Sequence, residues 1–143
     1  MQYDILSVRS SRTTYRISSP RDLYSALQRY ANARTERFLC VTLDGSHAIE
    51  RIHIVTIGLV NRTVVHPREV FRTCLEDNAV ACVVAHNHPS GRLDPSPEDL
   101  EITTRLHDAG NIIGIALLDH LVISRDGYFS FVEHGLLEPL SPD

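Results

Sequence analysis

The 143 residues predict an α/β domain, a mixed sheet of about six strands with helices on both faces. Three observations carry that expectation. Apolar residues recur at helical spacing over 20–33, 67–77 and 96–109. Between and after these segments the period shortens to that of strands. One strand, Ala79 to Ala85 (Ala-Val-Ala-Cys-Val-Val-Ala), has no polar face, as expected of a strand covered on both sides.

In chain order, residues 1–17 read as an N-terminal hairpin or arm, with Tyr3, Ile5, Val8, Tyr15 and Ile17 around an Arg-Ser-Ser-Arg-Thr stretch. Ser18-Ser19-Pro20 caps a helix over 20–33, with Leu23, Ala26, Leu27, Tyr30 and Ala31 on one face. From Glu36 the period changes. Phe38–Leu43 is a strand, Asp44-Gly45 a turn, and Ala48–Ile57 and Leu59–Val65 continue an antiparallel meander. Pro67 opens a helix to Asp77, its buried stripe Val70, Phe71, Cys74 and Leu75. After the core strand ending at His86, Ser96 opens a helix expected to stop at Gly110-Asn111. Ile112–Leu118 and Leu121–Ser124 are strands, Arg125-Asp126-Gly127 a turn and Tyr128–Val132 the last strand. Residues 138–143 form a loose tail.

Composition bounds the rest. The length suits one domain, and 43% apolar with 22% charged residues is ordinary for a globular protein. No apolar run approaches the roughly 18–20 residues that span a membrane, and the N-terminus lacks a signal-peptide pattern. A cytoplasmic protein without a membrane partner is expected. Cys40, Cys74 and Cys82 are widely spaced, form no Cys-x-x-Cys pair and read as small buried hydrophobes. The formal charge of −4 is uneven. Residues 1–37 carry seven arginines against three acids, a balance of +4, and residues 38–143 balance to −8. That basic front is a solvated surface or a contact for nucleic acid or an acidic partner. There is no lysine.

Chemistry concentrates in His86-Asn87-His88-Pro89-Ser90-Gly91 and the following Arg92-Leu93-Asp94-Pro95-Ser96-Pro97-Glu98-Asp99. Residues i and i+2 of an extended chain point the same way, roughly 6.6–7 Å apart. His86 and His88 therefore project to one side of a strand's carboxyl end, where α/β sheets gather ligands. Two imidazoles there can hold a zinc ion at about 2.0–2.1 Å, leaving two positions for other ligands. Ser96-x-x-Asp99 has two readings. It is an ordinary capping box, and it also places a carboxylate to turn back towards the same ion.

His86-x-His88, seven residues, Ser96, two residues, Asp99 matches the JAMM (MPN-plus) metal motif at every defined position. With His66-Pro67-Arg68-Glu69-Val70-Phe71, Leu117-Leu118-Asp119-His120 and Ser130-Phe131-x-Glu133-x-Gly135-Leu136, the chain resembles the RadC branch of that superfamily from about Ser18 to Leu137. The resemblance implies a three-layer α-β-α fold similar to the cytidine deaminases. It implies one zinc per chain on His86, His88 and Asp99, and peptidase or isopeptidase chemistry on a protein or peptide substrate. Relatives carry a helix-hairpin-helix segment ahead of this region. The chain is expected to lack it, which weakens a DNA-binding reading; homo-oligomerisation is left open.

Glu36 taken alone is a surface acid at a helix–strand junction. The resemblance instead makes it the general base that takes a proton from the attacking water and passes it to the leaving amine. Ser96 would donate to the developing oxyanion, in competition with its capping role. His120 reads as structural, or as a partner behind a zinc-bound imidazole. His47, His53, His66, His107 and His134 have no ligand-spaced companion and read as surface or junction residues. Three function classes follow. The first is a zinc-dependent hydrolase of peptide or isopeptide bonds. The second is a non-catalytic or nucleic-acid-associated accessory module linked to DNA repair or recombination. The third, a zinc deaminase, is excluded: it needs His-x-Glu and Pro-Cys-x-x-Cys, neither of which is present.

Overall fold

The computed structural model describes residues 4–7, 16–57 and 65–138, the first group only as a strand. The elements are β1 (Asp4–Ser7), α1 (Pro20–Ala26), α2 (Gln28–Ala31), β2 (Arg37–Leu43), β3 (Ile49–Ile57), α3 (Pro67–Glu76), β4 (Ala81–Asn87), α4 (Pro97–Ile113), β5 (Ala116–Ser124) and β6 (Gly127–Ser130). They form an α/β domain on one six-stranded mixed sheet ordered β1-β3-β2-β4-β5-β6. Every pairing is antiparallel except β4 with β5.

Period-two alternation sorts side chains into two cores. Phe38 and Cys40 of β2 with Cys82 and Val84 of β4 face α3 and α4, joining Phe71, Ile102 and Leu106. Leu39, Val41 and Leu43 with Ala81, Val83 and Ala85 face α1 and α2, joining Leu23, Leu27 and Tyr30. The result is the expected three-layer sandwich. Among the described residues no helix is long and apolar enough to cross a membrane.

Several element boundaries differ from expectation. The helix over 20–33 breaks at Leu27, whose backbone (φ −102°, ψ 7°) leaves the helical region while its N–H reaches both Leu23 O and Tyr24 O. Leu75 is exposed rather than in the stripe of α3, where Thr73 is buried instead and bonds back to Val70 O. The helix α4 runs through Gly110 to Ile113 and ends at Gly114, which has the left-handed φ of 86° that favours glycine. The expected strand Ile112–Leu118 therefore begins only at Ala116 and continues unbroken to Ser124 as β5. The expected strand Leu59–Val65 lies outside the described residues, apart from Val65, which belongs to no strand. Most of the arm over 1–17 and the tail beyond residue 138 also fall outside.

Candidate metal centre

Register brings the site together. β2 runs antiparallel to β4 with Phe38 opposite His86, so the segment just before β2 lies level with the segment just after β4. Glu36 thereby meets His88, with Oε1 of one 3.9 Å from Nε2 of the other. Ser96 caps α4, its Oγ accepting from Asp99 N at 3.1 Å while Asp99 Oδ2 accepts from Ser96 N at 2.8 Å. The same Oδ2 lies 3.2 Å from His86 Nε2 and 3.5 Å from His88 Nε2. Capping and ligand geometry share one carboxylate oxygen, so the two readings of Ser96-x-x-Asp99 are not alternatives. The Ser96 hydroxyl caps through a lone pair, leaving its proton to be donated.

The three donor atoms form a near-regular triangle, since His86 Nε2 and His88 Nε2 are 2.9 Å apart. Donors about 2.0–2.1 Å from a tetrahedral zinc lie about 3.3 Å from one another. The set fits. Glu36 forms a second close group with both histidines, all ligand atoms within 4.8 Å, but it stands farther from His88 than Asp99 does. By distance, Asp99 could complete a ligand set with the two histidines, with Glu36 beside it.

Proton direction supports the same fit. Thr103 Oγ1 donates to the Asp99 carbonyl at 2.6 Å, so it must accept from His120 Nδ1, also at 2.6 Å. His120 Nε2 is then the acceptor for His86 Nδ1 at 2.8 Å. That leaves the His86 Nε2 lone pair facing the triangle. His88 Nδ1 donates to Arg92 O at 2.8 Å, which turns the His88 Nε2 lone pair the same way. Two lone pairs and a carboxylate converge, an arrangement that could hold a cation. Burial of Asp99 opposes the ionised carboxylate, and the hydrogen bond from Ser96 N–H favours it.

Packing fixes the rings. His120 stacks on Phe131 with centroids 4.5 Å apart, and Phe38 lies against both His86 and His120. His86, Asp99 and His120 are fully buried, whereas His88 and Glu36 keep 14% and 17% of their side chains exposed. Among the described residues, the centre is exposed on the His88–Glu36 side.

Asn87 and Thr103 were not singled out in the sequence, and both hold the site. On a strand the residue between two same-facing histidines points to the opposite face. There Asn87 Oδ1 accepts from Arg37 N at 2.8 Å, and its amide donates to Ala33 O and Thr35 O at 3.2 and 3.0 Å. It clamps the loop carrying Glu36. Thr103 follows Asp99 by one helical turn, the one signal that could have found it.

Away from the centre one expectation changes. His53 is neither a surface nor a junction residue: it is fully buried, with Nε2 2.6 Å from Asp77 Oδ2. The three cysteines are buried as expected, and although widely spaced in sequence their sulfurs lie within 4.8 Å of one another.

The RadC-like JAB domain family matches residues 17–136. Among curated relatives, the chain is 45% identical over 122 residues to a UPF0758 protein of Rubrobacter xylanophilus, covering 85% of the chain and 53% of the relative. A UPF0758 protein of Trichlorobacter lovleyi is 45% identical over 130 residues, covering 90% and 56%. One of Geobacter sulfurreducens is 44% identical over 123 residues, covering 85% and 54%. The chain thus spans about half the length of these relatives.

Proposed function

This chain belongs to the RadC-like JAB domain family, and from that premise we propose that it is a zinc-dependent hydrolase of peptide or isopeptide bonds. The observation that carries the reading is the convergence of the His86, His88 and Asp99 donor atoms at 2.9–3.5 Å, with their lone pairs aimed inward and Glu36 alongside. When bound there, zinc would polarise the scissile carbonyl and make a water nucleophilic near neutral pH.

The protein's own groups would divide the remaining work. Glu36 stands at the open edge, where its carboxylate can take the proton of the attacking water and return it to the leaving amine. Ser96 keeps a hydroxyl proton to donate to the oxyanion as charge develops. Asn87 holds the Glu36 loop in register, and the His120–Thr103 chain keeps His86 in one tautomer. Three protein ligands with one side open is the pattern of a catalytic rather than a structural zinc, which is normally closed by four.

The test is a peptide-library cleavage screen of zinc-loaded protein, run with and without chelator. Chelator-sensitive cleavage is expected, with Glu36→Gln retaining zinc while losing about 10²–10⁴-fold in rate. Undiminished chelator-sensitive activity in Glu36→Gln would remove that residue from the mechanism.

A further inference from the structure

Resting on that reading, we infer that the cavity beside His88 is an anion subsite in which Arg34 and Arg125 hold a substrate carboxylate close to the scissile bond. The cavity encloses about 170 Å³, and its lining includes Arg34, His88, Pro89, Gly91, Ser124 and Arg125. That is the space of roughly five or six waters, enough for one short residue. His88 belongs to both the cavity and the candidate metal centre, and among the described residues the centre is exposed on the side of His88 and Glu36. A substrate at the centre on that side would extend towards this cavity.

Both arginines are mounted on fixed backbone. The Asn87 amide donates to Ala33 O and Thr35 O, bracketing Arg34. From the other side, Tyr24 Oη bonds Ser124 O at 2.7 Å and Arg125 O at 3.2 Å, tying the turn between β5 and β6 to α1. Among the described residues neither guanidinium is engaged in an ion pair. Two planar, permanently charged arginine side chains on residues lining one small cavity suit a carboxylate, which can accept such forks bidentately. The arginine excess of residues 1–37, to which zinc chemistry gives no role, supplies one of the pair. A nucleic-acid strand fits less well, because it needs several phosphate contacts along a track and the chain's formal charge is −4.

The test begins by loading the protein with zinc and measuring the metal. Isothermal titration then compares benzylsuccinate, with a second carboxylate for the arginines, against 3-phenylpropionate, with one. Wild type should prefer the dicarboxylate by about tenfold or more, and Arg34→Gln or Arg125→Gln should each erode that preference by about tenfold. Both side chains are exposed, so the variants fold. Equal affinity for the two probes, or a preference unchanged in both variants, overturns the subsite. Competing peptides with a free carboxyl terminus, an amidated terminus, or an amidated terminus after glutamate distinguish the source. Competition by the first alone assigns a terminal carboxylate, competition by the first and third assigns any nearby carboxylate, and competition by neither overturns the proposal. Displacement of benzylsuccinate by a DNA oligonucleotide near physiological ionic strength overturns it in favour of phosphate. If the protein takes no zinc, the hydrolase reading fails separately. The subsite is then read from the Arg34 and Arg125 Nε–H resonances of metal-free protein with 3-phenylpropionate, where shifts support it and their absence overturns it.

Discussion

A backbone carbonyl at the end of a hydrogen-bond chain decides what His86 can do. Because Asp99 O can only accept, every proton from Thr103 through His120 to His86 is assigned, and the bare nitrogen faces Asp99 and His88. The two histidines and Asp99 were legible in the sequence because their spacing is local. His120 and Asn87 act through partners 34 and 50–54 residues away, which no local spacing reports. Asn87 also yields a prediction. Asn87→Ala removes three hydrogen bonds and should lower stability by about 1–3 kcal/mol in urea unfolding, while bound zinc stays at the wild-type level. A variant of unchanged stability would show that the clamp is idle.

Among the elements, α4 shows where sequence signals mislead. Gly110-Asn111 looks like a helix stop, yet Gly110 continues the buried stripe of Ile102 and Leu106. It is glycine for closeness: a Cβ there would stand 2.5 Å from Ile115 O and 3.2 Å from Phe71 Cζ. Gly110→Ala should therefore destabilise by about 1–3 kcal/mol, against the gain of up to about 1 kcal/mol expected at an open helical position. Thermal unfolding decides between the two signs. Packing that only the folded sheet supplies set this boundary, and with it the true start of β5.

The pairing of α3 with β2 and β3 is similarly non-local. Asp77, capping α3, binds His53 at 2.6 Å, Thr42 at 2.6 Å and Arg51 at 2.9 Å. Burial opposes ionisation of its carboxyl, and the bonds from His53, Thr42 and Arg51 outweigh burial and hold it below the ordinary value. A depressed folded-state pKa contributes stability that is present above the unfolded value of about 4 and lost as pH falls through the folded one. The stability gap between wild type and Asp77→Asn should thus be full near neutrality and shrink below about pH 4. A gap independent of pH would deny Asp77 that role.

For the whole molecule, topology does the assembling. Antiparallel β2 and parallel β5 flank β4, so the beginning of one strand, the end of another and the first turn of α4 meet at one end of the central strands. Three layers were readable from alternating helical and strand periods. The meeting point was readable only through the resemblance, because Glu36 lies 50 residues before His86 and no periodicity links them. A second group of metal-binding type, the buried cysteines 40, 74 and 82, lies in the core between the sheet and α3 and could compete for the ion. Metal analysis of purified wild type, His88→Ala, Glu36→Gln and Cys74→Ala after zinc loading separates the two groups. One zinc per chain is expected in wild type, Glu36→Gln and Cys74→Ala, with loss of tight binding in His88→Ala, because two ligands hold the ion poorly. Full zinc in His88→Ala with loss in Cys74→Ala would contradict that expectation.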